Sequence, residues 1–244
     1  MQRTFPFGVK SVADPALCQA VMAAGGTCIY RAWSMGGDCP NVDGDAKTEA
    51  YRVMASLWGA GIDLKPNFLE ITNECSYEVH YLPWWNTFYL EAIRLGKLWG
   101  YPPLVLPTYA PGQPTEEWQL DLIKSALVAL RDSGGLFGAH DYSVDQPNLC
   151  PCNQWLSCRH RRIYAKLVEM GLGDLQIAET EVGQGWGNEP PDVGDFACWW
   201  NAVRHDPGLR FVALWTAGRT DAWPFANLNG WMVPIAQRVA ALIK

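Results

Sequence analysis

The hydrophobic positions of this chain fall into short apolar runs that alternate with longer segments of helical period. Short runs rich in β-branched and aromatic residues are typical of buried strands, whereas apolar positions three or four apart are typical of amphipathic helices. The runs predict strands over residues 5–9, 27–33, 68–74, 104–108, 136–140, 175–181 and 211–215. The periodic segments predict helices over residues 14–25, 46–58, 84–99, 115–133, 159–170, 192–204 and 232–244.

Capping residues support the boundaries of several predicted helices. Asp14 stands directly before Pro15, which is the usual pairing of an N-cap residue with proline at the first helical position. The pair Gly25-Gly26 is a good C-terminal stop for the same helix. Thr115 is expected to cap the helix predicted over residues 115–133.

The alternation of strands and helices predicts an α/β fold with a parallel sheet. A length of 244 residues favours a closed (β/α)8 TIM barrel over an open doubly wound sheet. No linker, repeat or low-complexity segment divides the chain, so we expect a single domain over residues 1–244. An eight-stranded barrel needs one strand more than the seven predicted. Residues 62–65 provide a rudimentary strand, or the barrel is trimmed by one strand–helix unit, and both interpretations stay open here.

Composition and charge restrict the classes of partner. The chain is 49% hydrophobic and only 18% charged, which excludes a disordered protein. A net charge of −6 argues against nucleic acid or an anionic membrane surface as partner. No apolar run approaches the roughly 20 residues of a membrane helix. The first residues lack an apolar signal core, so secretion after removal of a leader and residence in the cytoplasm both stay open. The 13 Trp suit either a cleft for sugar rings or the core.

The eight cysteines allow several interpretations. Cys18 and Cys28 lie in apolar segments and are interpreted as buried free thiols. Cys150, Cys152 and Cys158 lie within nine positions and fit three states: a disulfide from Cys158 to one of the other two, free thiols, or a Cys3His zinc site with His160. The spacing is poor for zinc, and His160 is expected to begin the next helix instead.

Candidate chemistry collects at the ends of the predicted strands, where parallel barrels carry their active sites. Two predicted strands end in glutamates. Glycoside hydrolysis requires a pair of carboxyl groups that face each other across the substrate cleft. On the strand over residues 175–181, Glu179 and Glu181 compete for one role, because a period of two turns both toward the barrel axis. Glu181 lies nearer the mouth and is preferred. Glu179 and Glu70 would lie deeper, with Arg31 as their expected partner. The polar and aromatic residues at predicted strand ends are Arg31, Asn73, Glu74, Tyr109, His140, Tyr142, Glu179, Glu181 and Trp215.

These segments resemble the signatures of clan A glycoside hydrolases, the retaining (β/α)8 enzymes that include β-xylosidases, α-iduronidases and cellulase-like families. Residues 70–74, Glu-Ile-Thr-Asn-Glu, resemble the strand-four motif E-I-W-N-E, and residues 179–183 resemble the strand-seven motif I-T-E-F-G. Residues 140–143 resemble the strand-six motif H-x-Y-S, and Tyr30-Arg31 and Leu214-Trp215 match strands two and eight. The order agrees over residues 27–215. The chain departs from the pattern at Thr72, where Trp is usual, and at Cys75, where Pro often follows.

The resemblance implies a role for each matched residue. Glu74 would be the acid/base in a rather apolar setting, and Glu181 would be the nucleophile, with the two carboxyl groups about 5–5.5 Å apart. Arg31 would keep Glu181 ionised. The residues implied to bind or line the substrate site are Arg31, Asn73, His140, Tyr142 and Trp215.

The implied function is that of a retaining glycoside hydrolase acting on β-linked poly- or oligosaccharides, with neither metal nor cofactor. Two alternatives belong to other classes. One is a barrel that binds carbohydrate without turnover, since one fold supports many tasks. The other is a metal-dependent hydrolase that uses His80, His140 and Glu181.

Overall fold

A computed structural model describes residues 8–32, 39–58, 65–143, 149–183 and 193–214. These ranges hold seven strands and six α-helices, with 3-10 turns at Val79–Tyr81 and Glu117–Ile123. The strands are β1 (Gly8–Val12), β2 (Thr27–Arg31), β3 (Phe68–Glu70), β4 (Leu104–Tyr109), β5 (Leu136–Tyr142), β6 (Ile177–Gly183) and β7 (Leu209–Leu214). The helices are α1 (Pro15–Ala23), α2 (Ala46–Ser56), α3 (Leu82–Trp99), α4 (Lys124–Asp132), α5 (His160–Glu169) and α6 (Val193–Val203).

The seven strands form one parallel sheet in chain order, which curves into a nearly closed barrel with the helices outside. The two edge strands, β1 and β7, contact each other. Their closeness is shown by the ring of Phe211 in β7, which occupies the space where a side chain on Gly8 of β1 would lie. The strands β2 and β3 pair directly, with Ile29 opposite Phe68. Among the described residues no strand lies between β2 and β3, which is consistent with the trimmed alternative; residues 62–64 lie outside the described residues.

The predicted elements hold with changes at their ends. Asp14 caps α1 by accepting a hydrogen bond from the N–H of Leu17. The helix predicted over 115–133 is a 3-10 turn followed by α4, and its cap is Glu116 with Gln119 rather than Thr115. The first strand continues to Val12, three residues beyond its predicted end, while residues 5–7 lie outside the described residues. The strand predicted over 68–74 ends at Glu70. The predicted helix over 232–244 lies outside the described residues.

Apolar packing occurs on both sides of the sheet. Inside the barrel, small and branched side chains pack around Phe211, including Ile29, Val105, Leu136 and Ala178. Outside it, the apolar faces of the helices cover the strands. In this outer layer Trp85, Trp199 and Trp200 are buried, so these three indoles serve the core. Among the described residues, no helix combines the length and apolarity that a membrane crossing requires.

The eight cysteines form four disulfides: Cys18–Cys28, Cys39–Cys75, Cys150–Cys198 and Cys152–Cys158. The interpretation of Cys18 and Cys28 as free thiols is therefore wrong, because α1 packs on β2 and brings the two sulfurs together. The expected disulfide within the loop after β5 is confirmed. The zinc alternative fails there, because all three sulfurs are consumed in disulfides. His160 begins α5, as expected.

Candidate active site

The sequence-predicted site residues converge at the carboxyl ends of β2, β5 and β6. Arg31 is the last residue of β2, His140 and Tyr142 lie in the last three positions of β5, and Glu181 lies near the end of β6. Glu74 follows β3 by four residues. Trp215 lies outside the described residues.

Glu181 is buried and is held by cations and a phenol. Tyr142 donates a hydrogen bond of 2.8 Å to Oε2, and the Nζ of Lys10 lies 2.5 Å from Oε1. Arg31 Nη1 lies 3.8 Å from the same oxygen. Burial by itself would raise the pKa of Glu181, but the charges of His140, Lys10 and Arg31 and the hydrogen bond from Lys10 outweigh it and hold the pKa at about 2. The carboxylate is therefore ionised at any ordinary pH.

Lys10 is a site residue that the sequence did not reveal. Its side chain is 4% exposed and lies 2.7 Å from Glu70 and 2.5 Å from Glu181, with Asn73 Oδ1 at 3.5 Å. The strand predicted over residues 5–9 stopped one residue short of Lys10. A single lysine at a strand end is more often a solvent-exposed residue, and no motif marked this one.

Glu74 has a backbone conformation that is unusual for a residue with a side chain. Its φ is +48°, in the left-handed region, and its N–H donates to the carbonyl of Thr108 at 3.1 Å. Such conformations cost of order 1 kcal/mol or more and cluster at functional sites. The segment is tied to a neighbouring loop by the disulfide between Cys39 and Cys75.

The side chain of Glu74 points at His140. His140 Nδ1 lies 2.6 Å from Oε1 of Glu74, and its Nε2 lies 3.0 Å from the hydroxyl of Thr180. The side chain of Glu74 is 36% exposed, so the apolar setting expected for it is wrong. Glu74 is instead surrounded by the imidazole of His140 and by solvent at the mouth of the barrel. His140 itself is buried and contacts both glutamates, with Glu181 Oε2 at 3.6 Å.

The two glutamates lie close together. One carboxylate oxygen from Glu74, one from Glu181 and a ring nitrogen of His140 all lie within 4.8 Å of one another. The separation of about 5–5.5 Å expected between the two carboxyl groups stays a prediction.

A β-bulge separates Glu179 from Glu181. Ala139 of β5 pairs with Glu179, while the next residue, His140, pairs with Glu181, so Thr180 is skipped. The extra residue reverses the alternation of side chains. Glu179 therefore faces His160 on the helix side of the sheet, and the expectation that both glutamates face the barrel axis is wrong.

Glu179 is also unsuited to act as an ionised nucleophile. Burial, and then the charge of Asp141, raise its pKa to about 7. The expected partnership with Arg31 holds only for Glu70, whose Oε1 lies 3.4 Å from Arg31 Nη1. Tyr109, another strand-end residue, is fully buried and packs edge-to-face on Tyr77.

Two groups of described residues have the composition of metal ligands: Glu74, His140 and Glu181, and separately Asp141, His160 and Glu179. In the first group Glu181 is already neutralised by Lys10 and Arg31, whose charges would repel a cation. His80 belongs to neither group. Its side chain is 63% exposed and lies beside Glu78.

Replacing Lys10 with Met is expected to move the acid limb of the pH–activity profile upward by about 1–3 pH units. Lys10 lowers the pKa of Glu181, so its loss raises that pKa, and the ionised form is then lost at a higher pH as the solution is acidified. The measurement is kcat/KM as a function of pH on a soluble aryl glycoside. Lys10→Arg keeps the charge and should restore most of the acid limb. An unchanged profile in Lys10→Met would mean that Lys10 does not control the ionisation of Glu181.

Comparison with known proteins gives a likeness of fold only. No family model matches the sequence, and no curated protein matches it. A glucosidase from Croceicoccus marinus matches with a TM-score of 0.50 and 12% identity, over 83% of this chain and 47% of its own. The catalytic domain of a mannanase from Streptomyces sp. SirexAA-E matches with a TM-score of 0.53 and 17% identity, over 92% of this chain and 70% of its own.

A third structure, a Bacteroides ovatus GH5 xyloglucanase in complex with a XXXG heptasaccharide, matches with a TM-score of 0.53 and 11% identity, over 92% of this chain and 58% of its own. The chain thus spans about half of the glucosidase and somewhat more of the xyloglucanase. At these identities the likeness supports the trimmed (β/α) barrel and leaves function to the geometry of the site.

Proposed function

We propose that this protein is a retaining glycoside hydrolase that cleaves β-linked poly- or oligosaccharides by double displacement on two glutamates. The observation that carries the proposal is the close approach of Glu74 and Glu181 in different environments. Glu181 is buried and held ionised by cations, whereas Glu74 lies at the mouth on an imidazole. Two carboxylates with divided roles are what glycoside hydrolysis needs.

Each residue has a part in the proposed reaction. Glu74 protonates the glycosidic oxygen while Glu181 attacks the anomeric carbon from the opposite face, and the leaving alcohol departs. Water then attacks the glycosyl–Glu181 ester, with Glu74 accepting its proton. His140 fixes the carboxyl group of Glu74 through its short Nδ1 contact. Tyr142 and Lys10 orient Glu181 for attack.

Five further assignments belong to the same proposal. Asn73, next to Glu74 and half-buried, would contact the sugar 2-hydroxyl, and Trp215 would form an apolar floor beneath the ring. Arg31 supports the ionised state of Glu181. The chain acts as one catalytic domain. The four disulfides support maturation in an oxidising compartment.

The test is a panel of β-mannan, xyloglucan, mixed-linkage β-glucan and xylan, with product sizing and with the anomeric configuration read by proton NMR during the first turnovers. We expect hydrolysis of at least one polysaccharide with net retention. A product that first appears with the inverted configuration would exclude the double displacement. Binding of a polysaccharide without release of reducing ends from any substrate, aryl β-glycosides included, would exclude the enzymatic function and favour a binding barrel.

A further inference from the structure

A second cluster of ionisable side chains lies on the helix side of the sheet, between β5, β6 and the start of α5. His160 Nδ1 is 3.2 Å from Oε1 of Glu179 and 3.7 Å from Oδ2 of Asp141. One ligand atom from each of the three residues lies within 4.8 Å of the other two. All three side chains are at most 1% exposed. The cluster is therefore closed to solvent and separate from the Glu74–Glu181 pair.

The donor atoms of this cluster lie within ion-pair distance of one another but do not form hydrogen bonds of good geometry. Both carboxylate oxygens of Glu179 and the Nδ1 of His160 lack a hydrogen-bond partner among the described residues. Nδ1 lies 3.2 Å from Oε1, but neither oxygen of Glu179 has a hydrogen-bond partner within the described ranges. A buried carboxyl group without such partners is stabilised by keeping its proton or by binding a cation. Two ligands of one first-row metal ion, each about 2.0–2.2 Å from it, would stand at this kind of separation.

The other ring nitrogen of His160 has the partner that metal-bound histidines usually have. Its Nε2 lies 2.9 Å from Oδ2 of Asp206, and that carboxylate is in turn held by Arg161 at 2.6 Å. A carboxylate that accepts a hydrogen bond from the Nε2–H group favours the tautomer in which Nδ1 carries a lone pair and no proton. The lone pair then points toward Asp141 and Glu179.

The cluster is also rich in carboxyl groups. Three carboxylates, from Asp141, Glu179 and Asp206, surround His160, and Arg161 is the guanidinium that pairs with one of them. In the described part of the chain, neither Asp141 nor Glu179 forms an ion pair with Lys or Arg. A neutral imidazole and one divalent ion would bring the sum to zero.

We propose that Asp141, His160 and Glu179 form a structural binding site for a divalent transition-metal ion of the Zn²⁺ class. Glu179 contributes both of its unpartnered oxygens, so that the protein supplies four ligand atoms and closes the coordination shell. Asp141 accepts the N–H groups of Cys158 and Arg159 at 2.6 and 3.2 Å and keeps a lone pair on each oxygen for the ion.

The ion would join three elements that the fold must hold in register. Asp141 is adjacent to His140 in β5, and Glu179 lies across the bulge from Glu181 in β6. His160 begins α5, directly after the disulfide-bonded loop. The site thus fastens the two strands that carry the candidate catalytic residues, and it does so whether or not the protein hydrolyses glycosides.

The test uses Zn²⁺ as the probe on the full chain, produced in zinc-supplemented medium and passed through a desalting column with a chelator. Elemental analysis should find about one zinc per chain. The zinc absorption edge and fine structure should show one imidazole with oxygen ligands and no sulfur. Glu179→Gln should lose the zinc and unfold at a lower temperature. Asp206→Asn should still bind, with affinity lower by about 10–100-fold.

The control is the double variant Glu74→Gln/Glu181→Gln, which removes the carboxylates of the other cluster and should keep the full zinc content. Zinc lost from this variant, or a fine structure that requires sulfur, would overturn the proposal. So would zinc-free wild-type protein whose melting temperature does not respond to added Zn²⁺. Because these readouts are metal content and stability, a failure of the proposed glycosidase activity would not be confused with a failure of the metal site.

Discussion

Replacing Glu181 with Gln is expected to abolish turnover on every substrate, activated aryl glycosides included. The neutral amide cannot form the glycosyl ester, and a good leaving group cannot compensate for a missing nucleophile. The loss in kcat should exceed the roughly 10²–10⁴-fold that removal of a general acid costs. The substitution also removes the charge of one of the two glutamates, Glu70 and Glu181, that contact both Lys10 and Arg31. The measurement is kcat on an aryl β-glycoside, with circular dichroism to confirm folding.

Glu179→Gln is the matched comparison, because it makes the same change two positions earlier on the same strand. The bulge at Thr180 turns Glu179 toward His160, so this variant should lose thermal stability far more than turnover. If Glu181→Gln kept near-normal activity while Glu179→Gln lost it, the assignment of the nucleophile would be wrong.

The fold could be predicted from the sequence because a parallel barrel produces two clear patterns of apolar residues. Strands buried on both faces appear as apolar runs, as Leu104–Tyr109 does, and the helices between them carry a period of 3.6. The trimmed unit was harder to predict. Whether another strand separates β2 from β3 is decided by the direct pairing of Ile29 with Phe68, which is a long-range contact.

The site could be predicted only in part, because its motif residues are local and its electrostatics are not. Arg31, Tyr142 and Glu181 come together as the resemblance implied. Lys10 joins them only because closure of the barrel brings β1 beside β7, the neighbour of β6, although Lys10 and Glu181 are 171 residues apart in sequence. The bulge at Thr180 is a register shift between β5 and β6, and no residue type in the sequence predicts it.

The disulfide pairing also could not be predicted from the sequence. An even number of cysteines permits many connectivities, and local spacing favoured only pairs within the loop after β5. Cys150 instead reaches Cys198 on α6, 48 positions away, because the packing of α6 on the sheet sets that distance. His160, at the start of α5, lies beside Asp141 and Glu179.

Replacing Glu74 with Gln should produce a loss that depends on the leaving group. Polysaccharides and other substrates with poor leaving groups should lose about 10²–10⁴-fold in kcat, since the departing alkoxide needs the proton that Glu74 supplies. Aryl glycosides with acidic phenols leave without that proton and should form the glycosyl–Glu181 ester nearly as fast as with the unchanged protein. The ester should then accumulate, because its hydrolysis also needs Glu74 as base. The measurement is a pre-steady-state burst of phenol followed by a slow steady rate.

Azide distinguishes the two glutamates by stereochemistry. In Glu74→Ala, azide needs no general base and should react with the accumulated ester, so the steady rate rises and the glycosyl azide has the configuration of the substrate. In Glu181→Ala, azide should take the place of the missing carboxylate, attack the substrate itself and give the opposite configuration. His140, which contacts both glutamates, is present in both variants, so it cannot cause the difference. Rescue of neither variant, or the same configuration from both, would contradict the division of roles between Glu74 as acid/base and Glu181 as nucleophile.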